Sequence, residues 1–91
     1  MARGHDLKTQ PKSFEAVVFG EKKAELRRND RDFRVGDILI LREWDPETQE
    51  YTGRGTQVDL LHVLDAAASF GALRGGYVML SLGAVPGVWT E

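Results

Sequence analysis

Eight of the fifteen residues from Gly20 to Arg34 can engage a phosphate or a base edge: Lys22, Lys23, Glu25, Arg27, Arg28, Asn29, Arg31 and Arg34. An arginine presents a planar fork to an anion. A carboxylate beside it can orient that fork or accept from a base amine. Paired with a lysine, the carboxylate could instead act as general base on water. The same charges would also suit an exposed strand carrying a ladder of ion pairs worth about 0–1 kcal/mol each.

Other reactive side chains are few. There is no cysteine, and His5 and His62 are the two histidines. This excludes a disulfide scaffold, a thiolate zinc site, a cysteine nucleophile and a His-rich metal centre. It leaves open only a carboxylate-bound ion, and no cofactor is implied. Alternation puts His5 on the face of Leu7, where a hydrogen-bonded structural histidine is the commoner case. Its functional reading is a proton carrier beside Lys22 and Glu25. His62 shares a face with Val58, Leu60 and Leu64 and is assigned no role. Trp44 could stack on a base, but a tryptophan there more often caps the core. Phe33 reads as the core anchor of the polar loop before it.

These groups need elements to hold them. Leu7–Thr9 reads as a short strand stopped by Pro11, which then opens a helix. Over Pro11–Phe19 the apolar residues Phe14, Val17 and Val18 fall at i, i+3 and i+4, one helical stripe, and Gly20 sits where a helix stops. From Lys22 the period becomes two. Ala24 and Leu26 are expected to face inward, with Glu25 and Arg27 outward. Ile38–Leu41 is a continuous apolar run of strand length. Asp45-Pro46 marks a hairpin loop to Glu50. Gly53 and Gly55 suggest a bulge or bend in the next strand, Val58–Leu64 is a long strand, and Tyr77–Leu82 is the last. Ala66–Phe70 could be a helical turn or a loop. Gly83–Glu91 reads as a tail packed on the surface or frayed. One helix cannot cover both faces of such a sheet. A small, partly open antiparallel barrel of five to six strands, mainly β with one helix after the first strand, is therefore predicted.

The chain has 91 residues, room for one domain spanning 1–91. No apolar run approaches a membrane span, and Met1–Asp6 shows no secretory leader, so a cytoplasmic protein with no membrane partner is expected. The net charge is −2 but uneven: residues 1–42 hold ten Lys or Arg against seven Asp or Glu, and residues 43–91 hold two against seven. A basic half on an acidic chain can still present one anion-seeking face.

Gly20-Glu21-Lys22-Lys23-Ala24-Glu25-Leu26-Arg27 resembles the Gly-x-Lys-x-x-Glu-x-Arg signature of ASCH domains, a branch of the PUA-like superfamily. Its flanks sharpen the likeness: His5-x-Leu7-Lys8-x-x-Pro11-x-x-Phe14-Glu15-Ala16-Val17, Asn29-Asp30-Arg31-Asp32-Phe33, Val35-Gly36-Asp37 through Asp45-Pro46, and Gly76-Tyr77-Val78 through Leu82. All are similar to a small bacterial and phage group of unknown function, and the likeness covers about residues 4–82. It implies a β-barrel with a cleft between helix and barrel lined by the signature residues, and a link to RNA. It also implies that Lys8 lies near the cleft, and that Lys22 does, which requires Lys22 to precede the strand because alternation alone would select Lys23. Some ASCH relatives remove the acetyl group from acetylated cytidine with a motif resembling Lys-x-x-Thr-x-Arg. Lys22 and Arg27 match it, but Glu25 stands at the threonine position, where a carboxylate is a poor substitute for a hydroxyl nucleophile.

The leading expectation is an RNA- or nucleotide-binding module. Lys22, Arg27 and Arg31, with Lys8, would hold phosphate, while Glu25 and Asn29 would read donors on a base or ribose. One alternative is a small hydrolase of modified nucleosides or RNA, with Lys22, Glu25 and His5 as catalytic candidates. Another is a phage accessory module that binds a protein partner through the acidic C-terminal half.

Overall fold

The computed structural model describes residues 3–91; Met1 and Ala2, part of the N-terminal stretch in which a secretory leader was sought above, lie outside the described residues. The order is β1 (Gly4–Thr9), α1 (Pro11–Val18), β2 (Ala24–Arg28), β3 (Ile38–Asp45), β4 (Glu50–Asp65), β5 (Tyr77–Leu82) and β6 (Trp89–Thr90). The strands form a sheet in the order β1-β3-β4-β5-β2, with β6 added to β4. The domain is thus small and mainly β, with six described strands and one helix following the first strand. β4 pairs with β3 through its first half and with β5 through its second, so this one strand belongs to both halves of the sheet.

Not every pairing is antiparallel, as the sequence reading had it. β1 runs parallel to β3, from Gly4 opposite Ile38 to Thr9 opposite Glu43. The connection between them contains α1 and β2, and parallel neighbours need such a long crossover. The apolar run of β3 explains itself in this position: Leu39 and Leu41 are fully buried. The β3–β4 hairpin turns where Asp45 predicts it, with the Asp45 carboxylate accepting from the Glu47 N–H at 2.9 Å. Beyond it the register shifts between Arg42 and Trp44, opposite the stretch of β4 holding Gly53 at φ +94°. A side chain would strain that conformation.

The core comprises Leu7, Phe14, Val17, Phe33, Leu39, Leu41, Val58, Leu60, Val78, Leu80 and Leu82. α1 contributes Phe14 and Val17, as its stripe requires. Gly20, at φ +78°, ends the helix in a Schellman motif, with Gly20 N–H donating to Val17 C=O at 3.0 Å and Glu21 N–H to Ala16 C=O at 2.9 Å. The Lys22 N–H then bonds the same Ala16 carbonyl at 3.0 Å. The chain is thereby folded back beside α1 before β2 starts.

Of the two alternatives for Ala66–Phe70, the loop is present, built of turns. Two further expectations are corrected. The C-terminal stretch is tied down, since Trp89 and Thr90 pair with Gly55 and Arg54. Gly55 is required there: a Cβ on it would lie 2.6 Å from the Trp89 ring. The largest correction concerns β2. Leu26 is 54% exposed and Glu25 is 5% exposed, so the charged residues face inward. Glu25 pairs with Leu80 and Arg27 with Val78, both buried residues of β5 on the same face. That face meets the start of α1 and the end of β1, where cationic and hydroxyl partners satisfy a carboxylate. Leu26→Ala is accordingly expected to change stability by no more than about 0.5 kcal/mol, as for other surface positions. A thermal melt checks this, and a loss of core size, about 2–5 kcal/mol, would contradict the orientation.

Candidate functional site

β1 and β2 are the two edges of the sheet, and no ladder joins them. Side chains bridge the gap instead. The Arg27 Nη2 donates to the Lys8 carbonyl at 2.8 Å, and Arg31 Nη1 donates to the Asp6 carbonyl. Both carbonyls lie on the edge of β1 that faces away from β3, so the two arginines satisfy an otherwise bare edge.

Along this seam lies a cleft of about 620 Å³, lined by Lys8, Thr9 and Gln10 of β1 and its end, Ser13 of α1, Lys22, and Ala24–Arg28 of β2 with Met79 behind them. Glu25 is its buried centre. Glu25 Oε1 accepts from Lys22 Nζ and from Ser13 Oγ, the latter at 3.4 Å, and Oε2 accepts from Arg27 Nε at 3.0 Å. The Lys22 ammonium also donates to Ser13 Oγ at 2.5 Å. The carboxylate is 6% exposed, whereas the Lys22 and Arg27 side chains are 36% and 26% exposed. The anion is therefore enclosed and its cations reach solvent. Of the five N–H donors on Arg27, two are engaged in the bonds above. The rest of the fork, and the third donor of Lys22, remain available to an anion in the cleft.

The Lys22, Glu25 and Arg27 convergence named by the signature is thus present, with Lys22 preceding β2. Lys8 joins them on the rim. Two other candidates stand elsewhere. His5 Nε2 lies 2.8 Å from Asp37 Oδ2, both buried, and the His5 ring meets Phe33 at 4.8 Å. Asp37 also accepts from the Arg3 and Arg34 backbone N–H groups, at 3.2 and 3.0 Å. These bonds, led by the one to His5, hold the Asp37 carboxyl below its ordinary range against burial. His5 therefore anchors the loop before β3 and does not line the cleft. Asn29 is exposed and is fixed through its backbone N–H to the Gly76 carbonyl at 2.7 Å, outside the cleft. Arg31 lines a smaller adjoining hollow of about 110 Å³ that it shares with Arg27 and Arg28. Phe33 is in the core as expected, but Trp44 is not: it is half-buried on the outer face, with Lys8 Nζ 4.0 Å from its ring centre.

Sequence reading missed Ser13 of the cleft, and named Arg28 only among the residues able to engage a phosphate or a base edge. Ser13 carries no signal of its role in the sequence, because it meets Lys22 and Glu25 only once α1 has folded back on β2. Among the described residues no group of three or more His, Cys, Asp or Glu is clustered to hold a metal ion, and no helix is long and apolar enough to cross a membrane.

Fold and site together define a small, mainly β domain with a buried carboxylate enclosed by cations in a polar cleft. The chain belongs to the family described as a domain of unknown function, DUF3850, whose model matches residues 4–82. Over 65 residues it is 40% identical to an uncharacterized 12.9 kDa protein in the GpA 3′ region of Escherichia phage P2. That match covers 71% of this chain and 58% of the phage protein.

Proposed function

We propose that the cleft binds RNA or a nucleotide and that the domain is an ASCH-like member of the PUA-like superfamily, its bent sheet acting as a partly open barrel. The observation that carries this reading is the enclosed Glu25 carboxylate with the donors of Lys22 and Arg27 turned to a cleft also rimmed by Lys8 and Arg28. A phosphate would take the Arg27 fork and the Lys22 ammonium. The carboxylate orients both cations and has lone pairs left to accept from a base or sugar donor. A cleft on a sheet edge admits single-stranded or splayed nucleotides, not an intact A-form helix. Arg31 lies close enough to meet a following phosphate, whereas Asn29 and His5 have no part in the site.

Arg27→Ala is expected to weaken binding to a short single-stranded RNA by about 1.5–3 kcal/mol, the range for a hydrogen bond to a charged group. With about two to four phosphates in contact, log affinity should fall against log salt with a slope of roughly −1.4 to −2.8, less steep in the variant. Fluorescence anisotropy across a salt series measures both. A folded Arg27→Ala protein with the affinity and slope of the parent would remove this reading.

One observation favours a second reading, hydrolysis of a modified nucleoside. The hydroxyl that the glutamate at position 25 denies to the motif is supplied from α1, by Ser13 bonded to Lys22. Ser13 Oγ would attack an amide carbonyl with its proton passing to Glu25. Lys22 would protonate the departing amine, and water would then release the acid from Ser13. It ranks second because Glu25 already accepts from Lys22 and Arg27, an ion-pair arrangement that suits orienting the two cations for an anion. Release of acetate from acetylated cytidine by the parent, lost in Ser13→Ala, would promote it.

A further inference from the structure

The cleft does not end at Lys8. The Lys8 side chain, on the exposed face of β1, lies over the Trp44 ring at 4.0 Å from its centre. Trp44 in turn meets the Tyr51 ring edge-on, with centres 4.9 Å apart at 77°. Tyr51 is 50% exposed. One lysine side chain therefore separates the cleft from a two-ring platform on the outer face of the β3–β4 hairpin. The nearby carboxylates do not hold Lys8: Asp6 and Glu91 are both bonded to Arg42, at 2.8 and 3.2 Å. Among the described residues Lys8 makes no ion pair and rests on an aromatic face, an attachment that is weak at an exposed site and readily exchanged.

From this we infer that Trp44 and Tyr51 form a base-stacking subsite for the nucleotide next to the one in the cleft, so that the preferred ligand is a single-stranded RNA segment and not a mononucleotide. The inference rests on the proposed reading of the cleft and extends it. On binding, a base replaces the Lys8 ammonium on the Trp44 face, and Lys8 moves to the phosphate that joins the two nucleotides. The exchange conserves the lysine's electrostatic partner, since the negative ring face is given up for a phosphate. Every base has a π-face, so the subsite selects for strand length and not for sequence.

The test compares a four-residue oligoadenylate with adenosine monophosphate. Trp44→Leu should weaken the tetranucleotide about 5- to 150-fold, the range supplied by loss of one base–aromatic stack, and leave the monophosphate unchanged. The chain has two tryptophans, so Trp89→Phe leaves Trp44 as the one tryptophan, excited selectively at the red edge beyond tyrosine absorption. Its fluorescence should fall in step with tetranucleotide binding, a readout that keeps Trp44 in place should Trp44→Leu unfold. If Trp44 serves only to pack the hairpin, both ligands bind the folded Trp44→Leu protein as they bind the parent and the emission does not change; that result overturns this inference alone. If neither ligand binds the parent protein, the reading of the cleft falls and takes this inference with it.

Discussion

Arg54→Ala is expected to destabilise the protein by about 1–3 kcal/mol at neutral pH, the cost of leaving the buried Glu43 carboxylate short of donors, since the Arg54 side chain is itself 40% exposed and screened by solvent. Glu43, on the inward face of β3, has a side chain 3% exposed. Arg54 of β4 meets it with two donors, Nε at 2.9 Å and Nη2 at 2.7 Å, and the Thr52 hydroxyl donates a third bond at 2.7 Å. The Arg54 guanidinium, foremost, holds the Glu43 carboxyl below its ordinary value against burial, with help from Thr52. A depressed folded value means that the unfolded chain binds more protons near and below about pH 4.3. The stabilisation from this pair is therefore complete above that pH and is lost as pH falls through the folded value. Without Arg54, burial pushes the carboxyl upward, so protonation relieves the variant. Its deficit should be largest at pH 7 and narrower near pH 4. Urea unfolding at the two pH values measures this, and a deficit under about 1 kcal/mol at pH 7, or one equal at both, would contradict it.

Phe14→Ala should be more severe, about 3–5 kcal/mol. Phe14 is the largest fully buried side chain and is the principal anchor of α1 on the sheet. Its ring also lies 5.3 Å below the Arg54 guanidinium. The two substitutions remove parts of one packed unit, so the double variant should lose less than the two single losses together. Because α1 carries Ser13 into the cleft, a folded Phe14→Ala protein should also bind RNA less tightly. Chemical denaturation of both single variants and the double variant resolves the coupling, and strict additivity would place Phe14 and Arg54 in separate units.

Helix, hairpin and cleft signature were legible because each rests on local chemistry. Phe14, Val17 and Val18 make a stripe only as a helix. Gly20 ends it because the left-handed conformation there suits glycine, and Asp45-Pro46 turns by its own side chain. β2 was misread because the alternation of apolar and charged side chains over Ala24–Arg27 is symmetric under a flip of face. What decides the flip is Lys22 and Ser13, which reach Glu25 only once α1 has folded back. The partners of His5 and Glu43 were hidden by sequence distance, at separations of 32 and 11 residues. A signal for the second existed. Glu43 continues the buried alternation of Leu39 and Leu41 and so requires a cation, and residues 43–91 offer only Arg54 and Arg74. The parallel pairing of β1 carries no local mark, since its pattern of alternate burial suits either direction.

The central claim is that the ligand enters between α1 and β2, at Lys22, Glu25 and Arg27. Its most direct test is a titration of isotopically labelled protein with the four-residue oligoadenylate, followed by amide resonances. Shifts are expected to concentrate in Lys8–Ser13 and Lys22–Arg28, to extend to Trp44 and Tyr51, and to be lost from the cleft in Arg27→Ala. Shifts confined to the turns at Ala66–Gly76, or to the apolar hollow between Phe19, Leu61 and Val85, would contradict it and assign the binding surface to another face of the domain.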